Sequence, residues 1–147
     1  MIILLQRVSS AEVHIKKKLY NGINKGLLIF LGIENNDSIR DIDYLIDKII
    51  HLRIFNNNNN KMNLSITDVQ GEILLVSQFT LLADTKNGRR PSFLDSAKPE
   101  LAKKMYKIFI NELNQTNLII KTGQFGAMMD VRLINSGPAT FILNSKI

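Results

Sequence analysis

Two short stretches of the 147-residue chain carry groups that could do chemistry. The first is Ser77-Gln78-Phe79-Thr80-Leu81, which follows the apolar run Ile73-Leu74-Leu75-Val76. Hydroxyl and amide groups therefore emerge at the C-terminal end of a predicted strand, just before irregular chain. There they can orient and polarise a substrate, or simply satisfy backbone groups at the end of a sheet. A serine or threonine hydroxyl is a weak nucleophile without an adjacent base. Neither histidine, His14 or His51, lies nearby in sequence. The second stretch is Asn135-Ser136-Gly137-Pro138-Ala139-Thr140. Proline lacks the ladder donor, and X-Pro bonds are where cis peptides occur, so a Gly-Pro pair between strands can present carbonyl oxygens in a fixed orientation. An ordinary turn is the plainer reading.

Other chemistries find little support. His14 and His51 show no metal-ligand spacing, and a histidine at a helix end reads as solvated or facing the dipole. Asp43 and Asp47 stand four apart, which the polar face of a helix explains. There is no phosphate-binding loop and no dinucleotide fingerprint, so no cofactor is expected. With no cysteine, the chain has no disulfide, thiolate nucleophile or Cys-ligated zinc or iron–sulfur centre, and a cytoplasmic setting is expected.

The elements that must position these groups follow from hydropathy. Residues 2–8 and 11–15 read as two strands, the second alternating with period two. Asn21-Gly22 is a turn signal, and the glycine-bounded run at 26–32 reads as a strand buried on both faces. From Ser38, Ile39, Ile42, Leu45, Ile46, Ile49 and Ile50 recur at helical spacing, with Asp37 or Ser38 placed as cap. The five asparagines at 56–60 compete for local backbone bonds and predict a loop. Residues 72–78 form a further strand, and residues 84–95 a long exposed loop. Pro99 suits the first turn of a second helix with Leu101, Met105, Ile108, Phe109 and Leu113 on one face. Residues 118–121, 128–134 and 139–143 read as three more strands.

Two helices cannot supply crossovers for about seven strands, so an α+β fold of mostly antiparallel strands is expected. The size is that of one domain, 1–147. Nineteen basic against thirteen acidic residues give a net charge of +6, which favours a polyanionic partner. The N-terminal residues lack the pattern of a signal peptide, and no apolar run approaches the ~20 residues of a membrane span. No membrane partner is expected.

Together, Ser77-Gln-Phe-Thr-Leu81 and Asn135-x-Gly-Pro-x-Thr140 resemble the paired signatures of the D-aminoacyl-tRNA deacylases. Supporting segments run in the family's order over nearly the whole chain: Gln6-Arg7-Val8, Arg53-Ile-Phe55, Lys61-Met-Asn-Leu64, Arg90-Pro-Ser-Phe93 and Thr122-Gly-x-Phe-Gly-Ala-x-Met129. The resemblance implies a β/β/α layered homodimer with its active sites at the interface. It also implies hydrolysis of the ester joining a D-amino acid, or glycine mischarged on tRNA-Ala, to the tRNA's terminal adenosine. Gly137 and Pro138 match a cis pair that enters the partner subunit's pocket and excludes L side chains. A backbone wedge of that kind discriminates by denying space. Arg7 matches the arginine that orients the pair.

In the family picture the tRNA's own 2′-hydroxyl takes part in hydrolysis. Gln78, the main chain at Phe79, and Thr80 would then hold and polarise the ester. Ser77, Phe125, Gly126, Ala127 and Met129 match the segments beside adenosine and amino acid. Lys86, Arg89 and Arg90 become candidate phosphate contacts. DNA is not an expected partner. The chain departs from the family in its asparagine tract and at Ala139, where a bulkier residue is usual. The alternative is a non-catalytic RNA-binding module that recognises tRNA acceptor ends.

Overall fold

The computed structural model describes residues 1–86 and 88–146. Asn87, inside the expected 84–95 loop, and Ile147, at the end of the expected domain, lie outside the described residues. Those described form eight strands and two α-helices in an α+β arrangement.

The first strand, β1 (Ile2–Ile15), is the spine of the sheet. Along one edge it pairs first with β3 (Gly26–Gly32) and then with β2 (Lys18–Ile23), both antiparallel. Along the other edge it pairs with the 15-residue β8 (Asp130–Asn144), also antiparallel. β6 (Glu72–Ser77) runs parallel to β3, and β7 (Ile119–Thr122) parallel to β6. The sheet is therefore mixed, with the order β2-β1-β3-β6-β7. It curls toward a barrel: Asn21 Nδ2 on β2 donates to the Thr122 carbonyl of β7 at 2.7 Å. The two parallel pairs are the ones that need crossovers, and α1 (Ile39–His51) and α2 (Pro99–Leu113) lie in those connections.

β3 and β6 are buried on both faces, as continuous apolar runs demand. Leu27, Ile29, Leu31, Ile73 and Leu75 pack under the helices with Ile42, Leu45, Ile49, Met105 and Phe109. Leu28, Leu74 and Val76 face a second core with Val8, Ala11 and Val13. β1 thus contributes Ile3 and Leu5 to one core and Ala11 and Val13 to the other. The alternation changes phase where the register against β8 slips between Val8 and Ser10. The two strands expected over 2–15 are one strand with a bulge, and the change of phase is what made them look separate.

The same holds for β8, where residues 128–134 and 139–143 were expected as separate strands. One strand begins at Asp130 and continues through the Gly-Pro pair. Asn21-Gly22 lies inside β2, and the hairpin turns instead at Lys16 and Lys17, with φ of 50° and 65°. Asn56 belongs to the two-residue strand β4 (Phe55–Asn56), which pairs with β5 (Met62–Leu64). Ser38 rather than Asp37 caps α1, its amide and hydroxyl both donating to Asp41 at 2.7 and 2.8 Å. Asp37 instead accepts from the buried Met1 ammonium at 2.6 Å. The described residues of the 84–95 segment are mostly exposed, and paired bonds between Asp84 and Ser92 of 2.8 and 2.9 Å join its two sides.

Candidate active site

Ser77 is the last residue of β6, and the chain then tightens into a 3₁₀ turn over Phe79–Leu82. The Gln78 amide donates to Leu31 of β3 at 2.8 Å, so the neighbouring parallel strand fixes where the polar residues leave the sheet. The Gln78 side-chain amide donates to the Thr80 hydroxyl oxygen. That leaves the Thr80 proton free to be donated outward.

The opposite wall is built by residues 123–129. Gly123 N donates to the Leu75 carbonyl at 2.8 Å, and the Tyr106 hydroxyl of α2 donates to the same oxygen at 2.9 Å. Burial, reinforced by the nearby Tyr20, pushes the Tyr106 phenol well above its ordinary range, so it remains a donor. Its ring lies 5.6 Å from that of Phe125. A Cβ at Gly123 would approach Met129 Sδ to 2.8 Å, so glycine lets the segment fold back on itself.

Between the walls lies a cavity of about 820 Å³. Ser77, Gln78, Phe79 and Thr80 face it from one side, and Phe125, Gly126, Ala127 and Met129 from the other. Phe93 adds an edge-on contact to Phe79, with ring centroids 5.0 Å apart. Lys98 is the ionisable residue among the lining side chains; the rest of the polar lining comes from serine, glutamine and threonine. Such a pocket can bind, orient and hydrogen-bond a substrate.

Arg7, Gly137 and Pro138 lie apart from this lining and form a second cluster. Arg7 is 8% exposed, yet it faces carbonyl and amide oxygens rather than a carboxylate. Its Nε donates to the Ser136 carbonyl at 2.9 Å, and Nη1 donates to Ile54 O at 2.6 Å and Asn56 Oδ1 at 3.2 Å. The Gly137–Pro138 peptide is cis, and Gly137 has φ of 124°. A Cβ there would collide with Arg7 Nη2. Asn135 and Thr140 close the base of the loop: Asn135 Oδ1 accepts from Ala139 N at 3.0 Å, and Asn135 Nδ2 donates to Thr140 Oγ1 at 2.8 Å. Gly137 and Pro138 themselves are exposed. The spacing Asn-x-Gly-Pro-x-Thr is thus a braced projection.

The family model described as D-Tyr-tRNA(Tyr) deacylase matches residues 4–144. The chain belongs to the D-aminoacyl-tRNA deacylase family. A D-aminoacyl-tRNA deacylase of Thermodesulfovibrio yellowstonii is 53% identical over 99% of this chain and 100% of its own. Another from Bacillus pumilus is 47% identical over 99% of both chains. A solved structure described as a c-Myc DNA unwinding element binding protein superposes with a TM-score of 0.95 at 35% identity, covering 100% of each chain. One described as a probable eukaryotic D-amino acid tRNA deacylase shares the fold, with a TM-score of 0.82 at 16% identity over 97% of each chain. As a D-aminoacyl-tRNA deacylase the protein is a hydrolase acting on the aminoacyl-tRNA ester bond. No helix among the described residues is long and apolar enough to cross a membrane.

Sequence reasoning missed three residues at these sites. Phe93 and Lys98 come to the pocket from the 84–95 loop and just beyond it; Phe93 ends the segment Arg90-Pro-Ser-Phe93, which was legible as a family segment but not as a wall. Asn56 looked like the start of a featureless tract and instead receives a bond from Arg7. His14 and His51 bond to Glu12 at 2.7 Å and Asp47 at 2.9 Å, and neither lines the pocket.

Proposed function

We propose that two copies of this chain form a chiral proofreading deacylase of translation, working in the cytoplasm, whose β/β/α layers meet across a two-fold interface. Each Gly137–Pro138 pair enters the partner's pocket and turns its carbonyl oxygens toward the space that an L side chain would occupy. D-aminoacyl esters pass, and so does glycine on tRNA-Ala, which has no side chain to refuse. The carrying observation is that this pair is exposed and fastened through Arg7, yet is absent from the lining of its own chain's pocket.

Within the pocket, Gln78, the Phe79 main chain and Thr80 hold and polarise the ester, while Ser77, Phe125, Gly126, Ala127 and Met129 seat the adenosine and amino acid. The 2′-hydroxyl of the tRNA's terminal ribose assists the hydrolysis. This agrees with a lining whose polar side chains are hydroxyls, an amide and one lysine. The need for that hydroxyl makes RNA, not DNA, the partner. Lys86, Arg89 and Arg90 on the exposed loop contribute phosphate contacts that read no sequence.

The test compares D-Tyr-tRNA, L-Tyr-tRNA and D-Tyr-tRNA ending in 2′-deoxyadenosine at trace enzyme. Rapid loss of the first alone is expected. Equal loss of the D and L esters would remove the chiral wedge, and full activity on the 2′-deoxy ester would remove the substrate's hydroxyl from the chemistry. Thr80→Ala should keep part of its activity if that hydroxyl carries the reaction.

A further inference from the structure

The β1–β2 hairpin turns on two lysines where glycine or asparagine is the ordinary choice. Ile15 pairs with Lys18, so Lys16 and Lys17 are the two loop residues, and both are left-handed, with φ of 50° and 65°. A two-residue hairpin of this twist favours Asn-Gly because its central residues need positive φ, which side chains with a Cβ resist. The strain is accompanied by charge. Lys16, Lys17 and Lys18 are consecutive and exposed, and none is ion-paired among the described residues.

The position of the turn gives the charge a use. The wall formed by residues 123–129 is attached to this hairpin at both ends. At its start, Thr122 accepts the 2.7 Å bond from Asn21 of β2. At its end, Asp130 is paired with His14 of β1, two residues before Lys16. Two strand residues span about 7 Å, and a lysine side chain extends the reach further. The turn is therefore a few residues from both ends of the wall that carries Phe125, Gly126, Ala127 and Met129, and its lysines are not among the residues lining the cavity.

We infer that the Lys16-Lys17-Lys18 turn is a phosphate clamp for the body of the tRNA, engaging its backbone a few nucleotides from the ester. This rests on the deacylase reading of the pocket and adds to it a surface on the hairpin, away from Lys86, Arg89 and Arg90. Three mobile point charges suit a phosphate backbone without base readout, as an enzyme acting on several tRNAs requires.

The experiment uses the full chain with Lys16→Asn, Lys17→Gly and Lys18→Gln combined, a turn that removes the charge and relieves the backbone. Against D-Tyr-tRNA, kcat/KM should fall three- to tenfold near 0.1 M salt. The plot of log kcat/KM against log salt should become shallower by about 2 to 3, since each of three phosphates that a lysine neutralises adds roughly 0.7 to 0.9 to the slope. Against the 3′-ester of D-tyrosine with adenosine alone, the variant should match the parent, and its Tm should not fall. An unchanged salt slope on tRNA would overturn the clamp, as would an equal loss on the adenosine ester. Failure of the parent protein itself to cleave D-Tyr-tRNA would instead strike the underlying deacylase reading.

Discussion

At the scale of single residues, the Gly-Pro projection depends on Arg7. A buried guanidinium normally meets a carboxylate; this one is satisfied by the carbonyls of Ser136 and Ile54 and the amide of Asn56. It joins three remote parts of the chain and leaves Gly137 no room for a Cβ. Gly137→Ala should therefore cost about 1–3 kcal/mol in urea unfolding, because both the left-handed backbone and the Arg7 contact resist it. The same variant should lose discrimination between D- and L-Tyr-tRNA, through displacement of the pair. Ala139 is buried directly behind the projection, 4% exposed. Added volume there would brace the pair from behind, so Ala139→Val should raise the ratio of D- to L-ester cleavage. An unchanged ratio would show that volume at this position does not set selectivity.

At the scale of elements, the start of α1 is fastened by charge. Burial, the largest influence on Asp41, pushes its carboxyl up. Hydrogen bonds from the Ser145 hydroxyl and from the Ser38 amide and hydroxyl, together with the nearby Lys146 charge, outweigh it and hold the pKa at about 2. The folded value lies below the ordinary carboxylate value of 3.8, so the stabilisation is full above about pH 4 and is lost as pH falls toward 2. Asp68, which accepts from the Ser65 amide and hydroxyl, is lowered in the same way and acts in the same direction. Asp41→Asn should lower Tm at neutral pH and flatten the decline of Tm between pH 4 and 2. A decline as steep as the parent's would assign the acid sensitivity to other carboxylates. Because Ser145 follows β8 and Ser38 precedes α1, this contact also joins the end of the chain to the helix layer.

At the scale of the whole molecule, β8 leaves one edge without a partner strand among the described residues. Its outward positions include Ile134 and Ile142, 62% and 67% exposed, on the same strand as the projecting Gly137 and Pro138. A long unprotected edge carrying apolar residues invites pairing with another copy, and a dimer there would bring the Gly-Pro pair to a second subunit. For the proposed dimer, the parent should sediment as a dimer and the Ile134→Arg, Ile142→Arg double variant as a monomer, with circular dichroism retained and deacylation abolished. A monomeric variant with full activity and unchanged D/L discrimination would place the wedge within one chain.

The extent to which the sequence was legible follows the range of the interactions involved. The apolar periodicity from Ser38 and from Pro99 located both helices, and the runs at 26–32 and 72–78 located β3 and β6, because those patterns report local geometry. Polar residues after β6 and the Gly-Pro pair stood out as candidates, since their departure from strand chemistry is also local. What tertiary structure decided was how these pieces join. The bulges that make 2–15 and 130–144 single strands arise from their mutual register. The role of Asn56 depends on an arginine 49 residues away. Phe93 and Lys98 reach the pocket because Ala97 N is bonded to Ile33 O at the end of β3 at 2.9 Å. Side-chain spacing along a chain encodes which face is buried; contacts between distant segments are selected by packing and hydrogen-bond satisfaction over the whole fold, and so appear only when it is assembled.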